Sequence, residues 1–302
     1  MECNKIKIRD FRNIEEAEIE FDTGVNILVG NNAQGKTNLL EAISFTALGK
    51  SFRTSHEEEM IRFGAESAEI SLDFTDSVRR QNITVRMMPG KRRHIEQNKV
   101  KVGRLSDIVG SFRTVLFCPE HLSLIKDGPA ERRNYLDIAI SQLYPVYLKS
   151  LQRYHQILKQ RNQLIRHAEE DRKTFLNTVE FWSEQLAHEA AVIARYRVQY
   201  LKKADEQIKS CFAEMTGSKE NPTAVYVGSS HGAPESYENM ESTEKSYFEL
   251  LMKNHEREIG AGSTLWGIHK DDIDIQINER SARAFASQGQ QRSLALAMKL
   301  AE

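Results

Sequence analysis

The sequence predicts an α/β fold in which mixed sheets and helices are interrupted by an inserted, mainly helical second lobe. Three observations carry that reading. Residues 25 to 48 run from an almost continuously apolar stretch through a glycine-rich break into a helical pattern. Period-two alternation brackets this run on both sides. From about Pro129 to Met215 the apolar positions recur instead at three-four spacing.

Ile6 and Ile8, with Phe11 after a slip, and then Ala17, Ile19 and Phe21, alternate as solvent-edged strands. Val25-Asn26-Ile27-Leu28-Val29 is apolar almost throughout, the pattern of a central strand covered on both faces. Gly30 to Lys36 breaks that pattern, and the helix from Thr37 to Leu48 places Leu39, Leu40, Ile43 and Ala47 on one face. Ala68 to Phe74 and Ile83 to Met87 alternate again, and Pro89-Gly90 turns into a basic segment ending near Val102, the signature of an antiparallel meander. Leu148, Leu151, Leu158 and Ile165, and further on Val179, Trp182, Leu186 and Ile193, predict two long antiparallel helices. Residues 229 to 244 read as a loop, Tyr247 to Ile259 as a helix, Ile273, Ile275 and Ile277 as a strand, and Gln290 to Ala301 as a helix. The expected organisation is a discontinuous lobe of residues 1–118 and 260–302 around a helical lobe of residues 119–259. The last helix meets no stop signal, which reads as a C-terminus cut short at Glu302.

With 42 Lys+Arg against 43 Asp+Glu and a formal charge of -1, any site for a polyanion must be a local patch. Cys3, Cys118 and Cys211 form an odd set without a C-x-x-C pair, which points to a reducing, cytosolic compartment. No apolar signal core opens the chain and no apolar run approaches the ~18 residues of a membrane span, so a membrane role is not expected.

Gly30-Asn31-Asn32-Ala33-Gln34-Gly35-Lys36-Thr37 matches the phosphate loop G-x-x-x-x-G-K-[ST] at every fixed position. Each part has a physical task. Glycines let backbone N–H groups converge on phosphate oxygens, Lys36 can bridge the β- and γ-phosphates of a nucleotide, and Thr37 can ligate Mg²⁺, a set of parts that kinases, GTPases and ABC-type ATPases share. Ser287-Gln288-Gly289-Gln290-Gln291-Arg292 is a second candidate anion site, a hydroxyl and a glycine at a helix start. It reads equally as a capping turn with Ser287 as N-cap and Gly289 as a tight bend. Between Arg79 and Arg104, nine basic residues face the single acid Glu96. Arg86, Lys91, Arg92, Arg93, Lys99, Lys101 and Arg104 are thus candidates for DNA backbone contacts, against the alternative of a solvated charged face. Lys149, Arg153, Lys159, Arg161 and Arg166 recur at helical intervals in a stretch without acids and could form a second stripe. His188-Glu189 and His255-Glu256 lack a second His at metal-ligand spacing and read as surface positions.

The phosphate loop, Gly49-Lys50-Ser51-Phe52-Arg53-Thr54, Pro119-Glu120, Gly128-Pro129, Arg132-Arg133 with Leu136-Asp137, and Ser287 to Arg292 together resemble the RecF family of bacterial recombination proteins, in order and over nearly the whole chain. The resemblance implies the ABC-type P-loop ATPase head of the SMC-like class, with Arg53 close to the nucleotide. It implies an ATP-dependent homodimer in which Ser287, Gln288, Gly289 and Gln290 close in trans on the nucleotide held by the other subunit. It further implies binding to double-stranded and gapped DNA, recombination mediator proteins as partners, loading of the RecA recombinase, and the SOS response. The resemblance also implies a weak DNA-stimulated ATPase whose acidic residues end an apolar strand that follows the helix beginning at Ser287. This sequence ends before such a strand, so ATP binding with little or no hydrolysis is expected. A second departure is Gly267-Ile268-His269-Lys270-Asp271-Asp272, where the family has Gly-Pro-His-Arg-Asp-Asp. Arg132 and Arg133 read equally as partners in salt bridges to Glu131 or Asp137. The alternative function is a P-loop kinase or small-molecule phosphotransferase, which needs no second-subunit motif.

Overall fold

A computed structural model describes residues 1–217, 220–230 and 234–302, and the chain divides into two compact units, Met1–Leu116 and Phe117–Glu302. In the first unit β1 (Glu2–Phe11) and β2 (Ile14–Glu20) form a hairpin, α1 (Lys36–Leu48) follows, and β3 (Ala68–Thr75), β4 (Arg80–Met87), β5 (His94–Gln97) and β6 (Val100–Val102) complete the sheet. Its order is β2-β1-β3-β4-β5-β6, with every neighbouring pair antiparallel. Register follows the apolar alternation. Ile6 lies opposite Leu72 and Leu72 opposite Ile83, while Ile8 lies opposite Ile70 and Ile70 opposite Val85. All six are buried on one face, in the same cluster as Leu39, Ala42 and Phe45 of α1. A slip of one residue would turn that whole set to solvent. The other face is polar, with Asn82 Nδ2 donating to Asp73 at 2.7 Å.

Residues 25–29 form no strand, and Val25, Ile27 and Val29 are 88%, 80% and 88% exposed, against the buried central strand expected of them. A strand exists by its ladder, and among the described residues none offers its backbone to this run. The Asn26 side chain instead folds the segment back, accepting from Asp22 N at 3.0 Å and donating to Asp22 O at 2.9 Å. Leu40, expected on the buried face of α1, is likewise exposed.

The second unit contains α2 (Ser123–Lys126), α3 (Pro129–Leu143), α4 (Pro145–Arg166), α5 (Arg172–Thr216), β7 (Pro222–Val227), α6 (Met240–Lys253), α7 (His255–Ala261), β8 (Asp272–Ile277), β9 (Arg280–Ser281), α8 (Ala282–Phe285) and α9 (Gln288–Leu300). Pro129 and Pro145 open α3 and α4, where the missing N–H costs no helical bond. α5, capped by Asp171 and stopped at Gly217 with φ 60°, spans 45 residues, ~68 Å at 1.5 Å per residue. Its buried stripe, Phe175, Val179, Leu186, Ile193, Leu201, Ile208 and Phe212, keeps the three-four spacing that the sequence shows.

Two expectations change here. Residues 260–302 belong to the second unit, because Ile273, Ile275, Leu294, Ala297 and Met298 share one buried cluster with Leu186, Ile193 and Leu201 of α5. The helix expected from Tyr247 begins at Met240, where Asn239 accepts from Ser242 N at 3.1 Å; Ser and Glu residues that read as loop are its polar first turns. The remainder of the 229 to 244 expectation includes residues 231–233, outside the described residues.

Candidate functional site

Gly35 is the N-cap of α1 with φ 93°, and Leu39 N donates to its carbonyl at 2.9 Å. A Cβ at Gly35 would meet Asn13 Oδ1 at 3.1 Å and Ile14 Cγ1 at 3.2 Å, so glycine is required twice over. Among the described residues no side chain caps the helix start, and no acid occupies its first turn, which leaves its N–H groups and dipole for an anion. Lys36 Nζ folds over the loop, donating to Gly30 O and Asn31 O at 2.6 Å each. Asn31, Asn32, Ala33 and Gln34 are exposed, as is Thr37 at the helix start.

Behind the loop lies a polar cluster that sequence reasoning missed. Glu41 of α1 is 0% exposed and accepts from Arg12 Nη2 at 2.6 Å, Arg12 Nε at 3.0 Å, Ser51 Oγ at 2.5 Å and Arg53 Nη1 at 3.2 Å. Burial alone would raise its pKa, but hydrogen bonds from Arg12 and Ser51, with the charges of Arg12 and Arg53, hold it below the usual carboxylate value. Arg53 thus stands beside α1, also donating to Asn38 Oδ1 at 2.7 Å. The available signals were Glu41 as the one acid in an apolar helix and Arg12-Asn13 at the hairpin tip, where Arg12 has φ 55°.

Ser287 caps α9 in a capping box: Gln290 N donates to its Oγ at 3.2 Å, and Ser287 N donates to Gln290 Oε1 at 2.7 Å. Gly289 lies inside the first helical turn rather than at a tight bend. Ser287, Gln288 and Gly289 are exposed, and Gln290 is tied to Glu220 at 2.7 Å.

The basic hairpin carries less free charge than its sequence suggests. Arg86 is paired with Glu69. Arg93 donates to Gly49 O at 2.9 Å, reaches Glu57 at 2.7 Å and lies 5.0 Å over the Phe45 ring. Lys91, Arg92, Lys99, Lys101 and Arg104 remain exposed, with Lys99 in the β5–β6 turn. The second stripe expected on α4 is interrupted at two of its five residues, while Lys149, Lys159 and Arg166 remain exposed. Arg161 is 0% exposed and bound to Glu258 at 2.6 Å and Thr264 at 2.8 Å, and Arg153 reaches Glu189 at 3.0 Å. The acids absent from α4 arrive from α5 and α7.

Arg132 grips Asp272 bidentately at 2.6 and 2.9 Å, and Arg133 donates to Asp271 O at 2.8 Å. Neither of the partners expected from sequence, Glu131 or Asp137, is used; Asp137 accepts from Arg197 at 2.9 Å. The Gly267–Asp272 turn is the hub of this buried network. Asp271 accepts from Tyr226, from Tyr247 at 2.8 Å and from Ser229 N at 2.6 Å, and burial pushes its pKa up. His269 meets Tyr154 at 2.6 Å, and burial lowers its pKa to about 4. His188 is exposed and faces Glu244, whereas the His255 side chain is only 24% exposed and packs on Phe175. Among the described residues no helix is long and apolar enough to cross a membrane.

The family described as RecF/RecN/SMC N terminal domain matches residues 2–302. A DNA replication and repair protein RecF of Lactobacillus johnsonii is 39% identical over 98% of this chain and 79% of its own length. The protein of that name from Clostridium acetobutylicum is 36% identical over 100% and 80%. A solved structure described as the recombination mediator protein RecF-ATPrS in the RecFOR pathway superposes with TM-score 0.93 at 32% identity, covering 99% of this chain and 80% of that one. An Smc head bound to the C-winged helix domain of ScpA, at 16% identity and TM-score 0.53, shares the fold.

Proposed function

This chain belongs to the RecF/RecN/SMC N-terminal domain family, and on that premise we propose that it is an ATP-binding protein of DNA replication and repair. The observation that carries the reading is a helix start with uncapped N–H groups, a left-handed glycine that only glycine fits, and Lys36 folded over the same loop. These groups suit a triphosphate: backbone donors and the helix dipole for its oxygens, Lys36 for the β- and γ-charges. Thr37, exposed at the start of α1, is the residue that would hold Mg²⁺. When bound with the nucleotide, Mg²⁺ supplies charge neutralisation between the phosphates.

The exposed turn at Ser287, Gln288 and Gly289 is assigned to the nucleotide of a second copy, making ATP the link in a homodimer. Lys91, Arg92, Lys99, Lys101 and Arg104 suit the backbone of a duplex beside a single-strand gap, without base readout. In the cytoplasm such a dimer would work with recombination mediator proteins to load RecA and feed the SOS response. The phosphotransferase reading is set aside, because the relatives that span this chain are named for replication and repair.

Fluorescence anisotropy on gapped duplex, with and without ATP and Mg²⁺, tests the proposal. Tighter binding with ATP, lost in Lys36→Ala, is the expected result. An ATP affinity unchanged by Lys36→Ala would overturn it. Ser287→Arg should keep ATP binding and lose ATP-induced dimers, whereas a phosphotransferase would barely respond.

A further inference from the structure

Three hydrogen bonds in series join Arg53 to the crown of the phosphate loop. Arg53 Nη1 donates to Asn38 Oδ1 at 2.7 Å, Asn38 Nδ2 donates to Asn13 Oδ1 at 2.6 Å, and Asn13 Nδ2 donates to Ala33 O at 2.7 Å. The polarity of this chain is set by its ends. A guanidinium can only donate and a backbone carbonyl can only accept, so each amide must present its oxygen toward Arg53 and its nitrogen toward Ala33. Ala33 is the non-glycine residue of the loop held at positive φ, 64°, a conformation that an alanine keeps only with support. Arg53 uses Nη1 for both Asn38 and the buried carboxylate of Glu41, and 43% of its side chain is exposed.

We propose that Asn38 and Asn13 are positioning residues that lock Arg53 and the Ala33 carbonyl into one unit, so that the guanidinium and the loop donors meet the nucleotide phosphates in a single preset arrangement. The inference rests on the reading that this loop binds ATP and that Arg53 touches its phosphates. Asn13 is tied to the loop and Asn38 to the arginine, and each is useful to the nucleotide only through the other.

A double-mutant cycle on the full chain, read by calorimetric titration with ATP, tests the coupling. Asn13→Ala and Asn38→Ala should each weaken ATP binding about fivefold, the weight of one hydrogen bond. In an Arg53→Ala background, which itself weakens binding, either change should add less than about twofold. Thermal melting of each variant should stay near that of the parent, and Asn13→Ser and Asn38→Ser replace any variant that does not fold. A full fivefold loss persisting in the Arg53→Ala background, or no loss from either single change, overturns the relay while leaving ATP binding intact. Failure of the unaltered chain to bind ATP sinks the functional reading and the relay together, so the two failures are distinguishable.

Discussion

Glu41→Gln is the most informative single change in the first unit, because its cost can be worked from the four bonds that the carboxylate accepts. Oε1 takes Arg12 Nη2 and Ser51, and Oε2 takes Arg12 Nε and Arg53 Nη1. A glutamine amide has one oxygen, so whichever way it turns, two donors lose their acceptor and face an NH₂ group. One of the two always comes from Arg12, whose side chain is 15% exposed against a fully buried partner. Charged hydrogen bonds are worth ~1.5–3 kcal/mol each, and breaking one side of a buried pair costs ~3–5 kcal/mol. The Arg53 contact is discounted, since 43% of that side chain is exposed and solvent screens it. The expected loss is about 3 kcal/mol. At a urea slope of ~2 kcal/mol per molar, the unfolding midpoint followed by far-UV circular dichroism should fall by about 1.5 M. Glu16→Gln is the control, because its Arg9 partner is an exposed surface pair, worth ~0.5 kcal/mol or less. A Glu41→Gln loss below about 1 kcal/mol would refute the claim that this carboxylate organises the region behind the phosphate loop.

In the second unit, Arg161→Met should destabilise by ~3–5 kcal/mol by stranding Glu258, and adding Glu258→Leu should recover much of that loss in the same urea titration. Stability should also fall on acidification through His269. Its folded pKa of about 4 lies below the ordinary histidine value of about 6.5, so the unfolded chain binds the proton first; stability declines from about pH 6.5 to 4, and His269→Asn should flatten that slope. Gly267→Ala places a Cβ 2.3 Å from Tyr154 Oη at φ 129° and should lower the melting temperature, an effect that Gly267→Ala combined with Tyr154→Phe relieves only where the clash, not the φ, dominates. Replacing Lys91, Lys99 and Lys101 by Glu should weaken DNA binding and reduce its salt slope; an unchanged slope would place the DNA elsewhere.

Local features were legible in the sequence wherever neighbours along the chain are also neighbours in space. The phosphate-loop motif is eight contiguous residues, and its left-handed glycine and helix start both lie within those eight. The strands β1, β3 and β4 and the helices α4 and α5 announced themselves by period, since burial of one face is written into each element separately. The same local logic failed at residues 25–29, where an apolar run needs a paired strand that no local pattern supplies. It failed again for charges. A run of basic residues looks uniform in sequence, yet Arg161 is entombed with Glu258, Arg93 lies on Phe45, and Lys91 stays in water.

By itself, then, the amino-acid sequence determined that a phosphate-loop motif stands between an apolar run and a helix, that a helical hairpin follows, and which family these motifs resemble. Tertiary structure alone decided that Glu41 gathers Arg12, Ser51 and Arg53, that Asn13 and Asn38 tie that group to Ala33, and that Arg132 answers to Asp272, 140 residues away. Helix and strand propensity act between residues a few positions apart. A charge chooses its partner by distance through space and by how much water the fold removes, and neither quantity exists until the chain has closed on itself.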